Sequence, residues 1–362
     1  MPLFVACATS PPPPAAAVVT AHAPPPPSAE PAYEEEPVEQ PPTSWAEAVE
    51  RYGDRCPAPF FTLTTTGTRT IGGTTFTIHG SRIERVGDRV DTFTIGVLGA
   101  TKDATPETLA NLRRAEREFR RAHVDVVLVN GDLVGGTLDG VDGVVDMLGT
   151  VFALPVLVHS GNSEWMTRYN EALHAAESKW PQIVNLNFVR EVDWSGIHLV
   201  SLPGYFNRRF LREGACHYGD DDVEALGEWV TPYVEAGQPV ILTSHGPPLG
   251  EGAHALDVIH EGANVGDPAL TTLLDDNEIP FGIFSHILES GGRALDAPQA
   301  ETAVALPMKT PSPRLYVNVG ASTAFAWGML DGKTSRGQAA IFRVERHADG
   351  TSAAKVTFLP LR

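Results

Sequence analysis

The residues that could do chemistry lie in four short fragments, each of which follows an apolar, β-branched run. They are Gly131-Asp132-Leu133-Val134, Gly161-Asn162-Ser163-Glu164, Ser244-His245-Gly246-Pro247 and Ser285-His286-Ile287-Leu288. If each apolar run is a strand, each fragment begins at the carboxyl end of its strand, where the loops of an α/β sheet converge on one site. Carboxylate, amide and imidazole groups in such a place can bind a metal ion or transfer protons.

In their order and composition, the four fragments resemble the ligand motifs of the calcineurin-like metallophosphoesterases. That family binds two metal ions between two β-sheets and hydrolyses phosphate esters. The resemblance implies that Asp132 is the carboxylate shared by the two metals and that Asn162 is an amide ligand. It further implies that His245 and His286 are imidazole ligands. All four positions belong to the second metal of the family's pair.

The chain departs from the family's pattern at the ligands that serve only the first metal. The family's first motif, an Asp-x-His pair, should lie at residues 99–102, where Ala100 and Lys102 stand instead. Leu288 replaces the second His of the last motif, and Ser163 replaces the His that assists the leaving group. A serine hydroxyl cannot act as a general acid near neutral pH, a role worth about 10²–10⁴-fold in rate.

Lys102 has two interpretations. Its ammonium group could lie near the first-metal position, where a fixed positive charge would neutralise Asp132 or hold a phosphate oxygen. Alternatively, Lys102 points from its loop into solvent.

The remaining ligands predict a remodelled centre with at most one metal ion. Two oxygen and two nitrogen donors suit one Mn, Fe or Zn ion, and a two-metal centre is not expected. The alternative is a hydrogen-bonded polar cluster that holds no metal. We expect a phosphoesterase whose catalysis depends on Asp132, Asn162, His245 and Lys102, with His286 as a further metal ligand. The competing interpretation is an inactive pseudoenzyme that binds an anionic ligand in the same cleft.

The elements that position these fragments alternate between helices and strands. Helices are predicted near 105–122, 138–150, 166–179, 221–236 and 268–276. The first of them should begin with Thr105 as its N-cap and Pro106 at its first helical position. The strands predicted around them lie near 92–98, 124–129, 155–158, 186–201 (two strands), 240–243, 281–284, 314–319, 339–344 and 355–359. This order predicts an α/β fold, a two-sheet β-sandwich flanked by helices.

Composition divides the chain into four segments. Residues 1–7 resemble the end of a bacterial lipoprotein signal in which Cys7 would carry lipid; either translation starts upstream or the match is accidental. Residues 8–43 contain 12 prolines, which predicts an extended, disordered tether. Residues 44–91 predict a short helix and a β-hairpin extension, and residues 92–362 the metallophosphoesterase-like domain. The expected location is the bacterial cell envelope, or the cytoplasm if Cys7 is not lipidated.

The charge of the chain restricts its partners. It has 45 acidic and 27 basic residues and a net charge of −18. Such a surface repels nucleic acid, because binding to phosphate backbones requires a positive patch. The expected partner is therefore a phosphorylated or anionic small molecule or protein ligand, with membrane contact only through a lipid at Cys7.

Two residue pairs have open interpretations. Cys56 and Cys216 could form a disulfide in an oxidising compartment, or they could be unrelated thiols. Arg208 and Arg209 could grip a phosphate or carboxylate at the site, or they could be solvated surface residues.

Overall fold

Two β-sheets face each other across one apolar core in the computed structural model, which describes residues 41–54, 64–135, 140–299 and 307–362. Ile95 and Leu128 of one sheet and Ile241 and Phe281 of the other are fully buried in this core. At about 25 cal/mol per Å² of apolar surface, burial of such side chains is the main force that holds the sheets together.

The larger sheet has nine strands in the order β1-β2-β3-β8-β9-β10-β11-β13-β12. Its central strands β9, β10, β11 and β13 are parallel neighbours, and the remaining pairs are antiparallel except for β3 with β8. The strand bounds are β1 Thr66–Ile71, β2 Thr74–His79, β3 Arg82–Arg85, β8 Glu191–Asp193, β9 His198–Leu202, β10 Val240–Ser244, β11 Phe281–Phe284, β12 Arg293–Leu295 and β13 Leu315–Asn318.

The smaller sheet has six strands in the order β17-β16-β4-β5-β6-β7. Strands β4 to β7 are parallel, and β16 and β17 extend the sheet as an antiparallel pair. The bounds are β4 Thr92–Gly99, β5 Val126–Asn130, β6 Val156–His159, β7 Ile183–Asn185, β16 Gln338–Arg346 and β17 Ser352–Pro360. A short hairpin, β14 Trp327–Gly328 with β15 Thr334–Ser335, lies outside both sheets.

Helices cover the outer face of each sheet. The apolar sides of α2, α3 and α4 pack on the six-stranded sheet, and those of α5 and α6 pack on the nine-stranded sheet. The bounds are α1 Trp45–Tyr52, α2 Pro106–Arg121, α3 Val141–Val151, α4 Met166–Ala176, α5 Asp220–Glu235 and α6 Pro268–Asp276. Helix α2 begins as its sequence predicts, because the Thr105 side chain accepts a hydrogen bond from the Thr108 backbone N–H and Pro106 occupies the first turn.

The predicted fold class, an α/β two-sheet sandwich flanked by helices, is confirmed. Within residues 44–91, strands β1 to β3 continue the nine-stranded sheet, because β3 pairs with β8. The tether predicted at residues 8–43 and Cys7 lie outside the described residues, apart from positions 41–43. Among the described helices, none has the length and apolarity needed to cross a membrane.

Candidate active site

The candidate ligands lie at the carboxyl ends of parallel strands, and both sheets contribute. In the six-stranded sheet, Lys102 follows β4, Asp132 follows β5 and Asn162 follows β6. In the nine-stranded sheet, His245 follows β10 and His286 follows β11. The facing sheets therefore bring together five polar side chains that are far apart in the sequence.

Asn130, the last residue of β5, links the two sheets by hydrogen bonds beside the candidate ligands. Its side-chain amide donates to Thr243 Oγ1 at 3.1 Å and to the Ile283 carbonyl at 3.0 Å, both in the opposite sheet. The Ser285 hydroxyl donates back to the Asn130 carbonyl at 2.9 Å. These buried bonds fix the separation of the strand ends that carry Asp132 and His286. Sequence reasoning missed Asn130, although its polar side chain at the end of an apolar strand was a signal.

The backbone at the site is unusual. Lys102, Asp132 and His286 have φ values of 67°, 55° and 54°, and they are three of the seven non-glycine residues with positive φ in the described parts of the chain. This conformation costs about 1–2 kcal/mol per residue and persists where surrounding structure enforces it, often at functional sites. Gly131 is required next to Asp132, because a Cβ there would lie 2.4 Å from His245 Nδ1.

Three polar atoms converge on Nε2 of His245. Asn162 Oδ1 lies 3.1 Å from it, His286 Nδ1 lies 3.1 Å from it, and Asp132 Oδ1 lies 3.3 Å from it. One ligand atom from each of Asp132, His245 and His286 falls within 4.8 Å of the other two. Asp132 and His245 are buried, so bulk water does not separate these groups.

The hydrogen bonds around His245 determine which of its nitrogens has a lone pair at the centre. Its Nδ1 lies 3.0 Å from the Asn130 carbonyl, which can only accept, so Nδ1 carries the hydrogen in a neutral ring. The Asn162 amide group donates to the Phe210 carbonyl at 2.7 Å, which turns its Oδ1 toward His245. The bare Nε2 of neutral His245 therefore faces the oxygens of Asn162 and Asp132.

This arrangement fits a cation. Of the three groups around Nε2, only the His286 ring can donate a hydrogen, so two oxygen acceptors still face a lone pair. Asp132 Oδ1 also has no hydrogen-bond partner in the part of the chain that the structure describes. A divalent ion bound to these atoms would remove the repulsion. A second proton on His245 would also remove the repulsion, and the site would then be the hydrogen-bonded polar cluster that holds no metal.

Lys102 contacts the other oxygen of the central carboxylate. Its Nζ forms an ion pair with Asp132 Oδ2, while Oδ1 faces His245. Burial alone would raise the pKa of Asp132, but the positive charge of Lys102 and the contact with His245 hold that pKa well below its ordinary value. Asp132 is therefore a carboxylate with one edge toward a lysine and one edge toward the imidazoles.

Two of the positions at which the resemblance predicts ligands of a first metal are apolar in the structure. Ala100 and Leu288 are buried together with Ala321 in a small cluster, against which Trp327 packs. Ala100 lies two residues before Lys102, and Leu288 lies two residues after His286. Ala100 and Leu288 therefore offer hydrophobic contacts and no donor atoms.

Glu164 is a further buried acid beside the centre. Its carboxylate accepts from the backbone N–H of Gly161 at 2.7 Å and of Val134 at 3.3 Å, which ties the loops after β5 and β6 to each other. Burial and the negative charge of Asp132 raise the pKa of Glu164 to about 7. Glu164 belongs to one of the four sequence fragments, but its linking role depends on a contact that the sequence does not reveal.

Tyr205 and His159 flank the imidazoles. The Tyr205 ring lies 4.2 Å from the His286 ring between centroids, and no sequence signal pointed to it. Burial, which disfavours the charged ring, is the main cause that lowers the pKa of His286 to about 3. His159 is buried, with Nε2 3.3 Å from Thr243 Oγ1, and burial lowers its pKa to about 3. Both rings are therefore neutral at physiological pH.

Ser163 is buried next to Asn162, while Arg208 and Arg209 are exposed on a loop after β9. Cys216 is buried, and Cys56 lies outside the described residues, so their pairing stays a prediction.

The sequence of residues 78–290 matches the family model described as calcineurin-like phosphoesterase. The match spans more than half of the chain and includes the strand ends that carry Lys102, Asp132, Asn162, His245 and His286. No protein of curated function matches the chain.

Several solved structures are similar to this chain at low sequence identity. One crystal structure is 14% identical with a TM-score of 0.51 and covers 75% of this chain and 100% of its own. GAP50, the anchor in the inner membrane complex of Plasmodium, is 11% identical with a TM-score of 0.47, over 75% of this chain and 86% of its own. A dimetal phosphatase from Danio rerio is 14% identical with a TM-score of 0.45, and the match covers 76% of this chain and 100% of its own. Only the first of these likenesses has a TM-score above 0.5, and at 14% identity it concerns the fold alone.

Proposed function

The chain belongs to the calcineurin-like phosphoesterase family, and from this premise we propose that it hydrolyses a phosphate ester at a centre with a single divalent metal ion and a lysine. The observation that carries the proposal is the convergence of Asn162, His286 and Asp132 on Nε2 of His245. Family membership implies the use of divalent metal ions, and this donor set of two oxygens and two nitrogens suits Mn, Fe or Zn.

The restriction to one ion rests on the residues beyond Asp132. A second ion would need its own ligands, but Ala100 and Leu288 offer none and pack in an apolar cluster. Lys102 contacts the carboxylate oxygen on that side. The lysine therefore supplies one positive charge where the family's first metal would supply two.

The roles of the residues follow from their positions. A bound divalent ion supplies polarisation of the phosphoryl group and a lowered pKa for attacking water. Asp132, Asn162, His245 and His286 would hold that ion, and the Lys102 ammonium would bind a phosphate oxygen. Ser163 cannot protonate a leaving group at neutral pH, so esters of acidic alcohols should react faster than esters of ordinary alcohols.

Metal analysis of the purified protein tests the number of ions. We expect about one divalent ion per chain and its loss in the His286→Ala variant, because that change removes a nitrogen ligand. The matched control is His254→Ala, which alters an exposed histidine outside the site and should keep the ion. Two ions per chain would contradict the ligand assignment, and a metal-free protein would favour the second candidate function.

The second candidate is a non-catalytic module that binds a phosphorylated or anionic small molecule or protein ligand in the same cleft. It is favoured by the Lys102–Asp132 ion pair, which neutralises the central carboxylate without metal. The presence of Ser163 in place of an acid catalyst also favours it. In this case the ligand would contact Lys102 and a protonated His245.

We further propose that the protein is tethered to the bacterial cell envelope. The support is the sequence Leu3-Phe4-Val5-Ala6-Cys7, which resembles the end of a lipoprotein signal, followed by the proline-rich residues 8–43. Intact mass spectrometry of protein from its native membrane should show a lipid-modified Cys7 at the N-terminus. An unmodified Cys7 thiol would remove the anchor and favour the cytoplasm.

A further inference from the structure

A short loop after β9 carries three arginines next to a candidate metal ligand. This arginine loop, residues 207–212, contains Arg208, Arg209 and Arg212, and all three side chains are exposed. In a chain with 45 acidic and 27 basic residues, three arginines among six residues form a local positive patch. The nearest acidic residue in the sequence is Glu213, so the segment 207–213 keeps a net positive charge.

The loop is attached directly to Asn162. The Asn162 amide group donates to the Phe210 carbonyl at 2.7 Å, and the Arg212 backbone N–H donates to the Asn162 carbonyl at 3.0 Å. Asn207 caps the turn by accepting from the Arg209 backbone N–H at 3.1 Å. The position of the loop backbone is therefore coupled to the position of this candidate metal ligand.

The guanidinium groups are available for a ligand. Within the described residues, no carboxylate forms an ion pair with Arg208, Arg209 or Arg212. The Arg209 guanidinium lies over the Phe210 ring, 5.8 Å from its centroid, which leaves its N–H edges open. Guanidinium groups bind phosphate through paired, charge-assisted hydrogen bonds, so they recognise this group better than a lysine does.

We propose that the arginine loop binds a second anionic group of the substrate, so that the preferred ligands are small molecules with two phosphate groups. This rests on the proposed function, because it places the first phosphate between the Asn162 side of the centre and Lys102. A small molecule fits better than a phosphorylated protein segment, because the loop backbone is bonded to Asn162 itself and the two anions would then lie close together.

The test compares 1,3-propanediol bisphosphate with propyl phosphate by isothermal titration calorimetry on the full-length protein. We expect the bisphosphate to bind at least tenfold more tightly, with a preference that weakens as salt is added. The triple variant Arg208→Gln, Arg209→Gln, Arg212→Gln should bring the ratio of the two affinities close to one.

A matched control removes the same charge elsewhere. Arg113→Gln, Arg114→Gln, Arg117→Gln changes three exposed arginines on the outer helix α2 and should leave the ratio at its wild-type value. An equal drop of the affinity ratio in both triple variants would mean that net charge alone is responsible. An unchanged ratio in the loop variant would mean that the arginines of the loop are only solvated. Either result overturns the inference.

Two further outcomes separate this inference from the proposed function. If propyl phosphate is hydrolysed but wild-type protein shows no preference for the bisphosphate, the inference on the loop is wrong and the hydrolase proposal stands. If nothing is hydrolysed but the preference disappears only in the loop variant, the binding inference stands and the hydrolase proposal is wrong. Binding of a multiply phosphorylated peptide without any preference for the bisphosphate would also overturn the small-molecule inference.

Discussion

Replacement of Lys102 by methionine is expected to lower the free energy of unfolding of the metal-free protein by about 2–3 kcal/mol. Removal of one partner of a buried ion pair costs about 3–5 kcal/mol, because a charge is left buried without compensation. The value here should be smaller, since the Lys102 side chain is 27% exposed while that of Asp132 is only 2% exposed. Methionine keeps most of the length and the apolar contacts of the lysine stem, so the loss reports mainly on charge.

The same variant should become dependent on metal for its stability. Lys102 and a divalent ion both compensate the charge of Asp132, so the ion should stabilise the Lys102→Met variant more than it stabilises the wild type. A ligand at 100 times its dissociation constant adds about 2.7 kcal/mol to stability, which is enough to recover the loss. Urea denaturation with and without added Mn²⁺ measures both effects.

Two controls separate the ion pair from other consequences of the mutation. Lys333→Met removes a lysine that pairs with Asp331 at the surface, and it should leave the urea midpoint unchanged because exposed pairs contribute little. Adding Asp132→Asn to Lys102→Met removes the uncompensated charge, so the double variant should lose less stability than the sum of the two single variants. If Lys102→Met alone has no effect, Lys102 does not compensate Asp132 and the charge-substitute interpretation is wrong.

The sequence was most informative about the strand ends. Asp132, Asn162, His245 and His286 each follow an apolar, β-branched run, and the alternation of helices and strands predicts two sheets whose carboxyl edges carry these residues. Local patterns of this kind depend on neighbours in the sequence. The predicted helix at 268–276 coincides with α6, Pro268–Asp276, and its start is local too, because the Asp267 side chain caps it and Pro268 occupies its first turn.

The features that the sequence did not reveal depend on contacts between distant segments. The Asn130 bonds to Thr243 and Ile283 cross between sheets, and neither partner has a pattern that predicts the other. The apolar cluster joins Ala100 with Leu288 and Ala321, which are about 190 to 220 residues away along the chain. The identities of Ala100 and Leu288 could be read from the sequence, but their packing against each other could not.

The attachment of the arginine loop to Asn162 is of the same kind. Arg208 and Arg209 could be recognised as a basic pair in the sequence, but the contact between the Phe210 carbonyl and the Asn162 side chain, on which the proposed role of the loop rests, could not. Every residue has a backbone carbonyl with the same chemistry, so the residue types in the sequence do not indicate which carbonyl forms such a bond.

Restoration of the family's ligands should convert the centre into a two-metal site and raise the rate of hydrolysis by about 10²-fold or more. The variant combines Ala100→Asp, Lys102→His, Leu288→His and Ser163→His, and the expected metal content rises from about one ion per chain to about two. Histidine is a suitable residue at position 102, because φ is 67° there and histidine tolerates this conformation better than most residues. The measurements are metal analysis and turnover of bis(4-nitrophenyl) phosphate.

The restored variant should be less stable than the wild type when metal is absent, although its rate of hydrolysis in the presence of metal is higher. Ala100 and Leu288 are buried among apolar neighbours, so an aspartate and a histidine there bring polar groups into a site without partners until metal binds. The restored variant should therefore unfold more easily than the wild type in a chelator and recover in Mn²⁺. Adding Asp132→Asn to the four changes provides the control, since loss of the shared carboxylate should abolish both the second ion and the gain in rate.

The comparison of rates decides between the two candidate functions. A wild type with no measurable turnover, beside an active restored variant, would support the binding module, because the fold could then carry out hydrolysis and only the native residues prevent it. A wild type that is faster than a fully metallated restored variant would exclude the pseudoenzyme. In that case Lys102 and one ion are sufficient for catalysis, and the apolar cluster of Ala100 and Leu288 belongs to a working one-metal hydrolase.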